Sequence, residues 1–395
     1  MTEIRAQKKY DNKYKEGFPL LKESFINYNA SVYKEGNIFT LLDHKGQFIA
    51  KGYFGNQNKG IGWLLSWKKN EHIDRNFFKS KVSEAINNRS GYYQDTNTTA
   101  FRVFNGEGDG VGGMTIDYFD GYYLFNWYSE GIYTFRDEII DMLCELVDYK
   151  GIYEKKRFNE SRDDLDKEDF VKGERATFPL IVKENGVNIA VNLDDGPMVG
   201  VFLDQRDVRK ALMSKYAKGK TVLNTFSYTG VFSVFALMGG ASMTESVDLA
   251  KRSTHLTIEQ MTINGIDDSK QSIVVMDVFD YFNRGKQKDK DFDIVILDPP
   301  SYARSKKHTF SAAKDYAQLI SKALDMTSKE GMLIASTNHS ALKREKFWEM
   351  IQQGFAARGE KAEIVESFGL PSDFRVNKAL KESDYLKVYF LKRRK

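Results

Sequence analysis

Between Lys220 and Tyr302 the chain repeats one shape four times: KTVLNTFSYTG from Lys220, ESVDLA from Glu245, VVMDVFDYF from Val274 and FDIVILDPPSY from Phe292. In each, an apolar, largely β-branched run ends in a polar or acidic residue, in order Asn224, Asp248, Asp277 and Asp298. Runs that are apolar at every position suit parallel strands covered on both faces. Helical patterns fill the intervals, most clearly Val231 to Met238 and Lys251 to Asn264. Alternation of this kind predicts an α/β fold with a doubly wound sheet. Ligands of such sheets lie beyond the carboxyl ends of the strands, so the four residues are expected to face one crevice.

The spacing narrows the ligand. Asp248 follows Gly230 by 18 residues at the end of the second strand, where a carboxylate can accept hydrogen bonds from both ribose hydroxyls of a nucleoside cofactor. Asp277 is placed to hold an adenine amino group, and Asp298, Pro299 and Pro300 stand at the reacting centre. The first turn carries Gly230 alone rather than GxGxxG, which disfavours a dinucleotide. Gly219-Lys220-Thr221 resembles the tail of a phosphate loop, but position 214 is Ser where that motif needs Gly.

Four strings carry a family resemblance: FLDQR (Phe202 to Arg206), NTFSYTG, SVD (Ser246 to Asp248) and DPPSY. Together they resemble the class I S-adenosylmethionine methyltransferases of large-subunit ribosomal RNA, and within these the three-domain family that contains the cytosine-5 and guanine-N7 23S rRNA enzymes. The resemblance implies a Rossmann-like class I methyltransferase domain over 191–395. A small PUA-like RNA-binding β domain over 1–70 and an α+β middle domain over 71–190 would precede it. It implies S-adenosyl-L-methionine as cofactor, held by Phe202, Asp204 and Arg206 of the first motif and by Asn224, Phe226, Ser227, Tyr228 and Gly230 of the second. Asp248 with Leu249, Asp277 with Val278, and Asp298 complete that set.

Length and composition agree with this organisation. A chain of 395 residues suits two or three domains, and 41% hydrophobic residues can fill real cores. No apolar run approaches a membrane span. The charged start MTEIRAQKKYDNKYKEG has no apolar signal segment, so a cytoplasmic location is expected. One cysteine and five scattered histidines exclude a disulfide framework and predict no bound metal. Charge is uneven: residues 1–90 hold 16 Lys+Arg against 9 Asp+Glu, residues 91–190 hold 11 against 20, and the rest 32 against 26. Two basic segments around an acidic one fit two surfaces that touch phosphate, although solvated faces give the same imbalance.

The first segment reads as short alternating strands at Ile38 to Leu42, Gln47 to Gly52 and Trp63 to Trp67, with Asp43-His44-Lys45-Gly46 as a hairpin turn. Tyr53, Phe54, Trp63 and Trp67 are core residues or a base-stacking face. A helix is expected around Arg75 to Asn87. In FRVFNGEGDGVGGMTIDYF (Phe101 to Phe119) the glycines never give GxGxxG and sit between two strands, so tight turns are the better reading. Tyr122 to Tyr128 reads as a strand, Phe135 to Val147 as an amphipathic helix with Cys144 on its apolar face, and Ser161 to Asp169 as an acidic loop.

Beyond the fourth strand the pattern predicts a helix over Thr309 to Thr327, a fifth strand over Gly331 to Thr337, a helix over Lys343 to Ala357, and two last strands at Lys361 to Ser367 and Leu386 to Leu391. The polar loop between those strands, Gly369 to Ser383, suits a substrate lid, with Arg375 as a substrate contact. Asn338 ends the fifth strand, where the cytosine-5 members of the family place a nucleophilic cysteine, because C5 of a pyrimidine needs a thiolate at C6 before it attacks. The guanine-N7 members carry Asn in that segment, and DPPSYARSKK with SDFRVNK also resembles that branch. Guanine N7 has an in-plane lone pair, so alignment with a sulfonium methyl is enough.

The resemblance therefore implies methylation of 23S rRNA at a guanine N7. Asp298, Pro299 and Pro300 would shape the base pocket, Tyr302 would stack on the base and Asn338 would bond its edge. The target would be unpaired or flipped out, on 23S rRNA or a large-subunit precursor particle. Membrane partners are not expected, and a homodimer is left open. Exocyclic-amine methylation, cytosine-5 methylation and an RNA-binding assembly factor that has lost the chemistry remain as alternatives.

Overall fold

The computed structural model describes residues 2–27, 33–57, 59–158, 169–194, 196, 198–304 and 309–394. The chain divides into two compact units. One comprises Met1–Val182, Asn192–Val199 and Ser372–Ser383, the other Lys183–Val191, Gly200–Pro371 and Asp384–Lys395.

The first unit contains two sheets. β1 (Thr2–Ala6), β2 (Leu20–Leu21), β3 (Ile26–Asn27), β4 (Ile38–Leu42), β5 (Phe48–Gln57) and β6 (Gly60–Ser66) form a sheet in the order β2-β6-β5-β4-β1-β3, with the short α1 (Asp11–Lys15) against β5. The β4–β5 hairpin turns as its sequence predicts: Gly46 takes φ +84°, and the Asp43 carboxylate accepts from the backbone N–H of Lys45 and Gln47, both at 2.9 Å. After α2 (Arg75–Asn88), capped by Asp74 on the Phe77 N–H, and α3 (Ser90–Gln94) comes the second sheet. It consists of β7 (Ala100–Asn105), β8 (Met114–Phe119), β9 (Tyr122–Trp127), β10 (Gly151–Lys156) and β11 (Phe170–Gly173), in the order β11-β10-β9-β8-β7. α4 (Glu130–Tyr133) and α5 (Arg136–Leu146) lie between β9 and β10.

The boundary expected at residue 70 separates two sheets but not two cores. Phe39, Tyr53 and Phe54 of the first sheet share one apolar cluster with Phe101, Phe104 and Trp127 of the second. Tyr53 and Phe54 are fully buried and Trp63 is 6% exposed, which assigns all three to that core rather than to a stacking face. The glycine run after β7 has a more specific cause than turn formation. A Cβ on Gly112 would lie 2.2 Å from the Trp63 ring, so the backbone passes too close to the indole for any side chain. Cys144 is half-buried on α5 and packs against the same cluster. The acidic loop expected at 161–169 lies outside the described residues up to 168.

The expected lid is anchored instead. Ser372–Ser383 belongs to the first unit, where Asp373 is 1% exposed and accepts from the Arg102 N–H at 2.8 Å. Arg89, itself buried and paired in fork geometry with Asp109 at 2.7 Å, donates to the Asp373 carbonyl at 2.6 Å. Asn105 Nδ2 holds the Arg375 carbonyl at 2.8 Å, and the Arg375 guanidinium lies 3.7 Å from both Asp109 and Glu84. Breaking such a buried network leaves unpaired charge, so the segment is tied down rather than free to swing.

The second unit begins within the hairpin of β12 (Leu180–Glu184) and β13 (Val187–Val191), of which Lys183–Val191 belong to it. α6 (Arg206–Ala211) leads into a seven-stranded sheet of β14 (Thr221–Thr225), β15 (Met243–Asp248), β16 (Gln271–Val275), β17 (Phe292–Leu297) and, after the small β18 (Tyr302–Arg304) and β19 (Thr309–Ser311) hairpin, β20 (Thr327–Thr337), β21 (Lys361–Phe368) and β22 (Lys387–Arg394). The order is β16-β15-β14-β17-β20-β22-β21; the first five are parallel and β22 runs antiparallel to both neighbours. Helices α7 (Val231–Met238), α8 (Ser253–Thr262), α9 (Val278–Gln287), α10 (Ala312–Leu324) and α11 (Arg344–Ala356) alternate with the strands, as the sequence predicts. Their apolar faces form separate clusters, one around Tyr316, Leu319 and Phe347 and one around Val208, Phe232 and Phe390, which accounts for strands apolar at every position.

Candidate active site

Strand order reverses between β14 and β17, and the crevice beyond that point is where an open parallel sheet takes its ligand. Register aligns the strand ends there. Thr225 pairs with Val247 and Leu297, Asp248 with Val275, and Leu297 with Ala335. Asp248 closes β15, Asp298 follows β17 and Asn338 follows β20, so these three stand along one edge.

The turn after β14 is built from left-handed backbone. Phe226, Tyr228 and Gly230 have φ of 55°, 52° and 75°. Two non-glycine residues in that region cost about 1–3 kcal/mol each, strain that concentrates at functional turns. Its constraints are visible: the Tyr228 N–H donates to Asp248 Oδ2 at 2.9 Å, the Gly230 N–H to the Ser227 carbonyl at 2.8 Å, and Thr229 Oγ1 to the Gly200 carbonyl at 2.6 Å. Asp248 Oδ1 accepts from the Ala250 N–H at 2.8 Å, which fixes the carboxylate in plane.

A recess of about 60 Å³ opens beside this turn, lined by Phe202, Gln205, Ser227, Tyr228 and Asp298 among others. The Phe202 ring is 44% exposed, 5.6 Å from that of Tyr228. Gln205 Nε2 donates to Asp298 Oδ1 at 3.0 Å and Ser336 Oγ at 2.8 Å, which ties β17 to β20. Gln205 Oε1 and Ser227 Oγ are buried with no hydrogen-bond partner among the described residues. Buried polar atoms are rarely left unmet, so these two mark places for a ligand's polar groups. Desolvation pushes the Asp298 carboxyl up to about 6, helped by the nearby Asp204 and opposed by Ser336, Arg209 and Gln205.

The remaining expected residues fall into two groups. Asp204 accepts from Tyr385 Oη at 2.9 Å, Leu249 is 52% exposed at the end of β15, and Tyr302 is 61% exposed on the β18–β19 hairpin. Ser301 Oγ donates to Asn338 Oδ1 at 2.9 Å, which joins the DPPS turn to the end of β20. Asn224 serves the scaffold. Asn224 is 1% exposed and donates through Nδ2 to Ser233 Oγ at 3.1 Å, which pairs with Ser246 Oγ at 2.7 Å, so it pins strand to helix instead of facing the crevice. Arg206 is buried, 3% exposed. Asp277 lies just beyond β16 and is the N-cap of α9, with Oδ1 accepting from Phe279 and Asp280 at 2.9 and 3.3 Å; the Val278 side chain is buried. Arg375 is counted with the first unit.

Three contributors were passed over in the sequence. Gln205 stands inside FLDQR and was there to be read. Arg209 forms a buried fork with Glu184, 2.7 and 2.6 Å, and donates to the Phe202 carbonyl at 2.8 Å. Lys387, 3% exposed, donates to the His339 carbonyl at 3.0 Å and holds the turn that carries Asn338. Neither of these two has a local motif.

Residues 159–378 match the family model described as S-adenosylmethionine-dependent methyltransferase, and residues 4–67 that of a PUA-like domain. The chain belongs to the S-adenosylmethionine-dependent methyltransferases. It is 50% identical over its whole length, and the whole length of the relative, to the Bacillus subtilis protein YwbD, provisionally named a ribosomal RNA large subunit methyltransferase. It is 30% identical, over 89% of each chain, to the Aeromonas salmonicida protein named ribosomal RNA large subunit methyltransferase I. Among solved structures it superposes with a TM-score of 0.92 and 39% identity on SMU.776, titled as a methyltransferase complexed with SAH, covering 99% of this chain and 100% of that one. As a member of this family the protein is an enzyme that uses S-adenosylmethionine. The residues present fit that cofactor: two orphaned polar atoms and the Phe202–Tyr228 ring pair line one recess, and the Asp248 carboxylate at a strand end is bonded to the Tyr228 N–H beside it. The recess is too small for the whole molecule, so much of it would lie along the open strand ends. Among the described residues no helix is long and apolar enough to cross a membrane, and no cluster of side chains could hold a metal ion.

Proposed function

We propose that the protein methylates 23S ribosomal RNA at N7 of a guanine, by direct transfer from S-adenosylmethionine. Asp248 accepts from the ribose hydroxyls, Gln205 Oε1 and Ser227 Oγ meet the amino acid end of the cofactor, and Phe202 with Tyr228 covers it. The bound cofactor supplies a methyl group on a sulfonium. Asp298, Pro299 and Pro300 shape the base pocket, and Tyr302, open to solvent, stacks on the base.

The observation that carries the reading is the state of Asn338. Its Oδ1 accepts from the Ser301 hydroxyl, which orients the amide and leaves its N–H group to meet a base. Guanine has the O6 acceptor beside N7, whereas cytosine has its N4 donor beside C5 and adenine its N6 donor beside N7. A donor at this position therefore favours guanine over cytosine and adenine, and uracil, which also has an acceptor there, would still need a thiolate at C6. N7 is already nucleophilic, and no thiol is present to activate a pyrimidine: the only cysteine of the chain, Cys144, packs on the core of the first unit. The names of the relatives support ribosomal RNA of the large subunit as the substrate class.

RNA substituted with 5-fluorocytosine tests the mechanism, because it traps enzymes that add a cysteine to C6. The protein is expected to form no covalent adduct and Cys144→Ser to keep methyl transfer within a few-fold. An adduct that vanishes in Cys144→Ser would contradict direct transfer.

A further inference from the structure

The first unit contains a cavity of about 680 Å³, well within the size range of small-ligand sites. All its lining residues belong to that unit, from β2, the β5–β6 turn, the glycine-rich turn after β7, the chain after β9 and β10, and the anchored segment at Leu380 and Glu382. Its chemistry is specific. Lys22, Lys59 and Arg157 bring three cations, against the carboxyls of Glu107 and Glu382. The indole N–H of Trp63, a residue 6% exposed, and the side-chain amide nitrogen of Gln57 are buried donors without a partner among the described residues. A donor left unmet in a buried place is costly, so both ask for an acceptor from outside. Tyr128, 40% exposed, offers an aromatic face at the same cavity.

We infer that this cavity holds one unpaired nucleotide of the RNA substrate, a capture point in addition to the base that is methylated. A nucleotide meets each demand at once. Ring nitrogens and carbonyls of the base accept from Trp63 and Gln57, the base plane stacks on Tyr128, and the phosphate faces the cations. A free phosphate could accept from the indole but would leave the aromatic face without a partner, and a neutral peptide would bring no negative charge to the cations. Desolvation raises the Glu107 carboxyl above its usual range, opposed by its own backbone N–H, Ser383 and Lys59. The inference rests on the ribosomal RNA reading for its substrate class, but it concerns a different place in the molecule.

The test uses the whole chain with two probes, AMP and a fluorescent single-stranded RNA of about ten nucleotides, a length within the usual site sizes of single-strand binders. Tyr128→Ala is expected to weaken RNA binding about tenfold. Lys22→Gln is expected to lower the salt dependence of binding by about one unit of slope. S-adenosylmethionine affinity should stay unchanged in both, which verifies folding. In the NMR spectrum of the four tryptophan indoles, the Trp63 resonance, identified by its loss in Trp63→Phe, should move on adding RNA and more weakly with AMP. If Trp63→Phe does not fold, the two surface variants still decide by affinity. RNA that binds and is methylated with affinity unchanged in both variants, or an indole that responds to AMP but not to RNA, would overturn the capture site and leave the proposed function standing. A native chain that neither binds nor methylates ribosomal RNA would overturn that function, and the inference with it.

Discussion

At the residue scale the account rests on three side chains, each with its own expected signature. Asp248 is held in plane by the backbone N–H groups of Tyr228 and Ala250, which leaves its remaining lone pairs for two ribose hydroxyls. Hydrogen bonds to a charged group contribute roughly 1.5–3 kcal/mol each, so Asp248→Ala should weaken S-adenosylmethionine binding at least tenfold by calorimetry. Unchanged affinity would place the ribose elsewhere. Asn338→Ala should lower turnover by roughly 1–3 kcal/mol of transition-state stabilisation while cofactor affinity stays, since its proposed role is toward the base and its other bond is to Ser301. Asp298 makes a prediction in pH. Desolvation pushes its carboxyl from 3.8 up to about 6, so the folded chain holds this proton more tightly than the unfolded one. Its favourable contribution is complete below about pH 4 and is lost as pH rises through 6. Asp298→Asn should therefore stabilise the protein by about 1–3 kcal/mol at pH 8 and leave it unchanged near pH 4, measured by denaturant titration. Equal stability of the two proteins at pH 8 would show that the carboxylate is not desolvated.

At the scale of elements, the turn after β14 decides whether the crevice forms. Gly230 is left-handed at φ +75°, and a Cβ there would lie 2.5 Å from Thr257 Cγ2 on α8. Gly230→Ala should cost about 1–3 kcal/mol and weaken cofactor binding, because the Ser227 and Tyr228 positions depend on this turn. A variant with native stability and affinity would show that the turn is not the organiser of the site. Much at this scale was legible in the sequence. β14, α7 and β17 lie where apolar runs and turn residues put them, since strands buried on both faces leave an unmistakable pattern. Asp277 follows the end of β16 and also caps α9, a second role that the apolar run before it does not announce. The network of Arg89, Asp109 and Asp373 was invisible, because its partners stand up to 284 residues apart and none has a motif. For the same reason the loop between β21 and β22 read as a lid: its polar residues meet buried partners that only the fold supplies.

At the scale of the molecule, the resemblance of four short strings to one methyltransferase family was enough to anticipate the second unit and its cofactor. The two-sheet core of the first unit was not, since a hydrophobic run does not name the cluster it joins. Removing residues 1–70 would strip Phe39, Tyr53 and Phe54 from the cluster shared with Phe101 and Trp127, so single substitutions are the cleaner probes of RNA binding. The claim that spans all scales is the identity of the methylated atom. Purified protein should be incubated with labelled S-adenosylmethionine and with large-subunit RNA, free and in particles, from a strain that lacks the gene. The RNA should then be digested to nucleosides and resolved by mass spectrometry. The account expects label in 7-methylguanosine; label in 5-methylcytidine or in an N-methylated exocyclic amine would contradict it.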